Sequence, residues 1–581
     1  MKKLYIVLFI FVLGISFNSN AESFSSVNSD GDTIYYLITS TTSPYKVSVT
    51  YKGNSFSTYI DEYIGDITIP SSVQYNNITY SVTAIGNNAF YNNTNLTSIN
   101  FPSTITTIGL YAFNNCSGLN TLTIPENVTT INTSSFYGCS SVDTLYFNAI
   151  NCNDFFSSSA FYGCSNLSTV FIGNNVTRIP SNAFANCNDI TSLNIPSSVN
   201  YIGQSAFKNC TNLKNINIPS SVTILKAHVF RNCDSLSRIS IPSSITFIDD
   251  FVFADNESLD SVIIPSSVTS LGYRIFENCT GLSHIIIPNS IDTLPDCTFH
   301  NCSSLSSLNT PSVTYLGSEV FSGCSSLTNY TLPNNITNIP YNTFRGCTSL
   351  TSIIIPQSVT VINNNAFQFC SSLTSIDLPN NLSLIKNYVF DACTSLSKIN
   401  FPSTLSSIGN YAFNYCSNLD TILIDRSNPP TINLSTFLNI PNDFLIILPC
   451  SSQRNYQTAN FWSSFTNYKE LDSCLYTINV QPNDSIMGAV TGSGTYPFDT
   501  ITITATPFQG HRFAFWNDGD TNSVRTVIVS RDSNFTAIFK EVVFSNINDT
   551  ICQGQTYPFF GNNLITEGLY SNTISVSQTR D

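Results

Sequence analysis

Apolar residues return along this chain on a fixed beat instead of gathering in the blocks of a globular core. Phenylalanine stands at Phe90, Phe113, Phe136, Phe161, Phe184, Phe207, Phe230, Phe253, Phe276, Phe299, Phe321, Phe344, Phe367, Phe390, Phe413 and Phe437. Twelve of the fifteen steps are 23 residues, and the others are 25, 22 and 24. A period in the twenties held over this length predicts a stack of similar coils, each too small to bury its own apolar edge. Three residues after the Phe comes Cys in thirteen of sixteen coils, with Asn93, Asn256 and Ile440 as the exceptions. That spacing predicts a short helical or 3₁₀ turn with both side chains inward. Leu, Ile and Ile follow at offsets six, nine and eleven, as in Leu213, Ile216 and Ile218. The last two alternate across one residue, which is the period of a strand. Pro comes next in twelve coils, for example Pro219, Pro242 and Pro356, where its missing N–H is harmless only if the strand has ended.

The predicted fold is a solenoid with a parallel β-sheet on one face and short helical or 3₁₀ segments on the other, followed by small all-β modules. Its interior is a set of columns, with Phe113, Phe207, Phe230, Phe276 and Phe344 in one and Cys116, Cys210 and Cys347 beside it. At about 4.8 Å per coil, sixteen coils make an arc on the order of 75 Å. In each coil the residue between the two inward isoleucines must face out from the sheet. Most of these residues are small and uncharged, but Tyr146 with Phe171 and Ile263 with Ile286 put apolar side chains on adjacent coils, and Ile354 and Leu423 are apolar too. Neighbouring exposed apolar groups are candidates for a binding face, against the ordinary alternative of scattered surface residues.

The first 21 residues read differently. Lys2-Lys3, the apolar stretch Leu4 to Phe17 and the polar Asn18 to Ala21 have the layout of an export signal over residues 1–21. Fourteen residues are too few to span roughly 30 Å of hydrocarbon, so membrane insertion is not expected. Charged residues make up 10% of the chain and the net charge is −14. Nucleic acids and anionic lipids, which need clustered Lys and Arg, are therefore disfavoured as partners.

In-register strings such as "IPSSVNYIGQSAFKNCTNL" from Ile195 to Leu213 resemble the BspA-type leucine-rich repeat over roughly residues 60 to 475. The resemblance implies an amino-terminal cap at 22–80, about sixteen coils over 81–440 and a closing cap at 441–475 with Tyr456 and Trp462 packed over the last open coil. Cys450 and Cys474 flank that cap and are the best candidates for a disulfide. Residues 476–541, with "GAVTGSGTYPFDTITITATPFQGHRFAFWNDGD", are similar to a divergent internalin-type B repeat, and the alternation from Thr500 to Ala505 independently predicts a strand. Residues 545–581 resemble the opening of a short β repeat of secreted proteins and stop before that repeat would finish, so a truncated chain is expected and anchoring is left open.

Eighteen Cys in an exported chain would ordinarily suggest a disulfide framework. Confinement of thirteen to one slot that also accepts Asn or Ile favours free buried thiols, since parallel Cβ vectors suit a disulfide poorly. Zinc is not expected of the ladder, because a tetrahedral site needs converging ligands and the ladder spreads them along a line. Cys152 and Cys297 fall outside the ladder and take no assignment. His228, His284, His300 and His511 occupy different slots or a different domain, although His284 and His300 could approach across adjacent coils. Asp518 and Asp520 in "WNDGDTN" fit a tight turn around Gly519 better than a calcium loop. No catalytic residue, cofactor or metal is expected. The resemblance implies a monomeric secreted or surface adhesin whose partner is an extracellular or cell-surface protein, host matrix or mucosal. The alternative is a structural spacer or glycan-binding protein whose site lies in the carboxyl-terminal modules.

Overall fold

The computed structural model describes residues 22–58, 61–154, 160–310, 312–441, 443–471, 474–497 and 499–542, together with the backbone of four strands between 544 and 575. The expected export signal at 1–21 lies outside the described residues. The chain divides into two compact units, one of Met1–Asp420 with Pro430–Pro441 and the other of Thr421–Pro429 with Asn442–Asp581.

The first unit begins with antiparallel strands Ser23–Val27, Thr33–Ser40 and Lys46–Thr50. The last of these runs parallel to Ile78–Ile85, which in turn pairs with the first short coil strand, Thr107–Ile108. A sheet edge that would otherwise be open is thereby covered. Tyr63 is fully buried, packs tilted against Phe90 with ring centroids 4.4 Å apart and donates its hydroxyl to the Thr50 carbonyl at 2.8 Å, which closes the first end of the Phe column.

Most coils contribute two strands to the solenoid; in the coils that begin at Phe299, Phe321 and Phe344 the first is absent or reduced to the single bridge of Ile354 to Asp377. The first is the expected one: Ser192–Asn194 pairs in parallel with Asn215–Asn217, and Arg238–Ser240 with Ser261–Ile263 and then His284–Ile286, each step being one coil. The second is only two residues long and comes from the V-T-x-I segment after the proline, as in Ile224–Leu225, Phe247–Ile248 and Ser270–Leu271. Two residues are too few to show an alternation, so the sequence pattern did not reveal this row.

On the side where short helical or 3₁₀ segments were expected, the array has linked turns. The i to i−3 bonds are present, for example Cys210 N–H to the Phe207 carbonyl at 3.2 Å. Helical propagation stops because two residues per coil are left-handed, Ser205 at φ 56° and Asn209 at φ 60° in this one. Alternate amides bond instead to the next coil, Phe207 N–H to Val229 O and Asn209 N–H to Arg231 O. Among the described residues the helices are confined to Gln453–Thr458 and the 3₁₀ turn Trp462–Ser464.

The second left-handed position, two residues after the Phe, is Asn, Asp or Gly in most coils, the residue types that tolerate this conformation best. Its asparagines also form an amide ladder: Asn209 Nδ2 donates to Asn186 Oδ1 at 2.7 Å and Asn232 Nδ2 to Asn209 Oδ1 at 3.1 Å. Three consecutive coils break the rule with Phe369, Ala392 and Tyr415 at φ 63°, 58° and 56°. Ala392→Gly should therefore stabilise the array by about 0.5–1 kcal/mol, read as a raised denaturant midpoint at unchanged slope. A lowered midpoint would show that the Ala392 methyl gains more from packing than it loses to backbone strain.

Inside, successive Phe rings stack nearly parallel, with centroids 4.7 Å apart at Phe90–Phe113 and 5.2 Å at Phe413–Phe437. The Cys slot is a hydrogen-bond donor position. Cys116, Cys210 and Cys347 each donate the thiol to the main-chain carbonyl of the preceding coil's Phe, at 2.9, 3.2 and 3.1 Å. Asn256 performs the same task with Nδ2 on Phe230 O at 2.9 Å, and its Oδ1 accepts the Cys233 amide at 2.6 Å. This explains why Asn replaces Cys here, since leaving a buried carbonyl unpaired costs about 1–3 kcal/mol.

The second unit holds parallel strands Thr421–Ile424, Leu445–Leu448 and Tyr468–Glu470. Tyr456 and Trp462 are buried with ring centroids 5.3 Å apart, and the Tyr456 hydroxyl donates to Arg426 O at 2.8 Å. A β module follows in two sheets, Gly494–Pro497, Leu475–Pro482, Ser533–Glu541 and His511–Trp516 in one, Gly488–Thr491, Asp499–Pro507 and Val524–Val529 in the other. Tyr476, Ile478, Ile503, Trp516 and Phe539 form their shared core. Beyond it, Phe544–Ile551 pairs antiparallel with Gly568–Ser575.

Candidate binding face

The outward row of the first strand is exposed at every position from Asn100 to Asn400, whereas Leu423 in the second unit is half-buried. Where consecutive coils pair in parallel, row neighbours are direct cross-strand partners. Tyr146 lies opposite Phe171, their rings 5.0 Å apart and inclined by 13°, and they remain 41% and 51% exposed. Ile263 lies opposite Ile286, at 66% and 61% exposure. Ile354 bridges to Asp377 and stands alone as an apolar residue in its neighbourhood of the row.

Two shallow recesses lie on this face. One, of about 430 Å³, runs over Asn194, Asn217 and Ser240 and has Arg238 at its edge. The other, of about 570 Å³, has Val262 and Ile285 in its floor, with Ile263, Ile286, His284, Asn309, Asn329 and Thr331 around it. This second recess falls where the step from Phe299 to Phe321 is only 22 residues. There Tyr330 takes the place of an inward aliphatic residue, packing 4.5 Å from Phe321 with its hydroxyl 2.7 Å from the Thr310 hydroxyl. Both volumes fall within the usual range of ligand sites.

The ladder residues Phe113, Phe207, Phe230, Phe276, Phe344, Cys116, Cys210 and Cys347 are all fully buried. The fifteen free Cys among the described residues are buried too, and burial pushes the thiols of Cys233 and Cys279 up to about 12, which keeps these two protonated at neutral pH. A disulfide joins Cys450 to Cys474 with Cα atoms 5.4 Å apart. His284 and His300 are not brought together: His284 is exposed on the strand face, its Nδ1 2.8 Å from Ser283 Oγ, while His300 lies on the turn face 3.6 Å from Glu319. His228 stacks 4.7 Å from Phe251, and its burial, with Arg231 nearby, holds it below the ordinary imidazole value. Asp518 and Asp520 both bind the Arg525 guanidinium, at 2.5 and 3.0 Å, around a Gly519 at φ 90°. The hydrogen bond from Arg525 holds Asp518 below the usual carboxylate range, and the two carboxylates share one guanidinium of the same module.

Six copies of a BspA type leucine-rich repeat region match within residues 62–467, which is more than half of the chain. The chain belongs to the BspA-type leucine-rich repeat family. Residues 476–543 match a divergent InlB B-repeat domain. Proteins of this family are typically secreted or at the cell surface, and protein–protein interaction is the general role that the match supports. Among solved structures, the chain is similar to a leucine-rich repeat protein from Bacteroides ovatus, at 27% identity over 75% of this chain and 98% of that one, with a TM-score of 0.49. It is also similar to a leucine-rich cell surface protein from Faecalibacterium prausnitzii, at 24% identity over 65% and 94%, TM-score 0.32. A pneumococcal vaccine antigen, PcpA, aligns at 15% identity over 77% and 98%, TM-score 0.30. No curated protein matches the sequence. Among the described residues, no helix is long and apolar enough to cross a membrane.

Cys297, His300 and Glu319 come together on the turn face, with their ligand atoms all within 4.8 Å of one another. Its only sequence signal is the C-x-x-H spacing of Cys297 and His300, because Glu319 comes from the next coil.

Proposed function

We propose that this protein is a non-enzymatic secreted or cell-surface adhesin whose solenoid strand face binds an extracellular protein of host matrix, mucosa or neighbouring cells. The observation that carries the reading is the pairing of exposed apolar side chains on adjacent coils, Tyr146 with Phe171 and Ile263 with Ile286, beside shallow recesses of the same face. A wide, repetitive and sparsely charged surface suits many modest contacts, where avidity takes the place of one deep pocket. The export signal read at 1–21 would deliver the chain to the surface.

The test is solid-phase binding of the purified chain to matrix proteins, mucin and bacterial cells. Saturable binding is expected, and Tyr146→Ala with Phe171→Ala, or Ile263→Asp with Ile286→Asp, should weaken it at least about tenfold, as exposed anchors at a binding hot spot do. Loss of all binding on deletion of 476–581, with both double variants unaffected, would move the site to the carboxyl-terminal modules.

A further inference from the structure

We propose that Cys297, His300 and Glu319 form a binding site for one divalent transition-metal ion of the zinc class. A thiol, an imidazole and a carboxylate lie within 4.8 Å of one another, and the His300 Nδ1 to Glu319 Oε2 separation is 3.6 Å. Zinc bonds of about 2.0–2.3 Å in a tetrahedron put ligand atoms roughly 3.3–3.8 Å apart, so the His–Glu edge already fits and a closure of about 1 Å seats the sulfur. Three protein ligands leave the fourth position for water or for a donor from a partner.

The solenoid explains the convergence. Cys297 and Glu319 hold the same left-handed slot on adjacent coils, at φ 57° and 61°, two residues before Phe299 and Phe321. His300 is one residue after Phe299, and its amide donates to the Cys297 carbonyl at 3.2 Å. The Cys297 amide donates to Ser318 O at 2.9 Å, which fixes one coil against the other. His300 Nδ1 is buried without a hydrogen-bond partner, and Glu319 is oriented from behind by Asn342 Nδ2 at 3.3 Å from Oε1. Such an outer partner is the usual support of a metal-binding carboxylate. The charged groups around Cys297 are Arg274, Glu319, Glu277 and Asp296. The one cation, Arg274, is held by Glu277 at 2.6 Å, which leaves the site net negative. Neighbouring ladder thiols have another occupation, Cys302 donating to Phe276 O and Cys324 to Phe299 O. A thiolate with an imidazole favours zinc, cobalt or nickel over calcium and magnesium. The ion would tie two coils together where the repeat step falls to 22 residues.

The experiment is titration of the reduced, metal-free, untagged full chain with Co²⁺, then with Zn²⁺ in competition. One equivalent of Co²⁺ should bind with a thiolate-to-cobalt charge-transfer band in the near ultraviolet and tetrahedral ligand-field bands in the visible, and Zn²⁺ should displace it. Cys297→Ser should abolish the charge-transfer band, and His300→Ala and Glu319→Gln should each weaken Zn²⁺ by more than about 100-fold, beyond what loss of a residue that only supports a ligand costs. Circular dichroism reports whether each variant is folded. If Cys297→Ser does not fold, the other two variants carry the test. Absence of a thiolate band in the parent chain, or zinc affinity unchanged in the folded variants, overturns the proposal.

Discussion

Phe276→Ala is expected to destabilise the solenoid by about 3–5 kcal/mol and to divide its unfolding into two transitions. The Phe276 ring is fully buried and lies between Phe253 at 5.6 Å and Phe299 at 5.7 Å, nearly parallel to both. Truncation removes its burial and two ring stacks of about 0.5–1.5 kcal/mol each, and the packed coils on either side can collapse into the gap only partly. In a globular domain that loss would be shared by the whole fold. Here stability is close to a sum of nearest-neighbour terms, so weakening two successive interfaces uncouples the coils before Phe253 from those after Phe299. Hydrogen exchange should show lost protection around residues 253–299, with amides near Phe113 and Phe390 unchanged. Phe276→Leu, which keeps an apolar side chain in the column, should cost clearly less. A single transition with protection lowered evenly along the array would contradict the linear picture.

The same linearity decides what the sequence could disclose. Phe, Cys, Leu and Ile sit in slots whose environment is repeated, so each coil is an independent reading of the same requirement, and burial of Phe207 follows from that of its fifteen counterparts. The two-residue second strand and the linked turns were hidden for opposite reasons. Ile224–Leu225 is too short for a period, while the i to i+3 spacing of Phe and Cys is shared by a helix and by a turn. What separates the two is the recurrence of Asn and Gly two residues after the Phe, as at Asn209, Asn232 and Gly346, all left-handed. The binding face was legible as a row, because alternation fixes which residues face out, but its recesses depend on the short coil after Phe299 and on the placement of Tyr330. The Cys297 cluster takes one left-handed slot from two adjacent coils, Cys297 and Glu319, and adds His300, so no single coil displays it. It needs Glu319, nineteen residues beyond His300, and only the stacking of coils makes those two neighbours.

Replacing Cys450 and Cys474 with Ser is expected to destabilise the segment between them by about 3 kcal/mol, with little effect on the Phe-column transitions. The bridge closes a separation of 24 residues that carries the helix Gln453–Thr458, the turn Trp462–Ser464 and the strand Tyr468–Glu470. This is a short stretch with few apolar anchors of its own, chiefly Tyr456 and Trp462. Its order rests on polar ties from Glu470, whose carboxylate accepts the amides of Ser451 and Gln453 at 2.9 Å each and also the Tyr476 hydroxyl. Without the covalent link the unfolded segment regains the freedom that loop closure removes, and ties of this kind cannot offset a term of that size. The chain has two Trp, and Trp516 lies in the β module, so a Trp516→Phe background makes Trp462 fluorescence a local reporter. The double Cys variant should lower the Trp462 unfolding midpoint and admit protease between residues 450 and 474, and reduction of the parent chain should reproduce both effects. If alkylation finds both thiols free in the air-oxidised parent, or the Trp462 midpoint does not move in the variant, the bridge has no part in holding this segment.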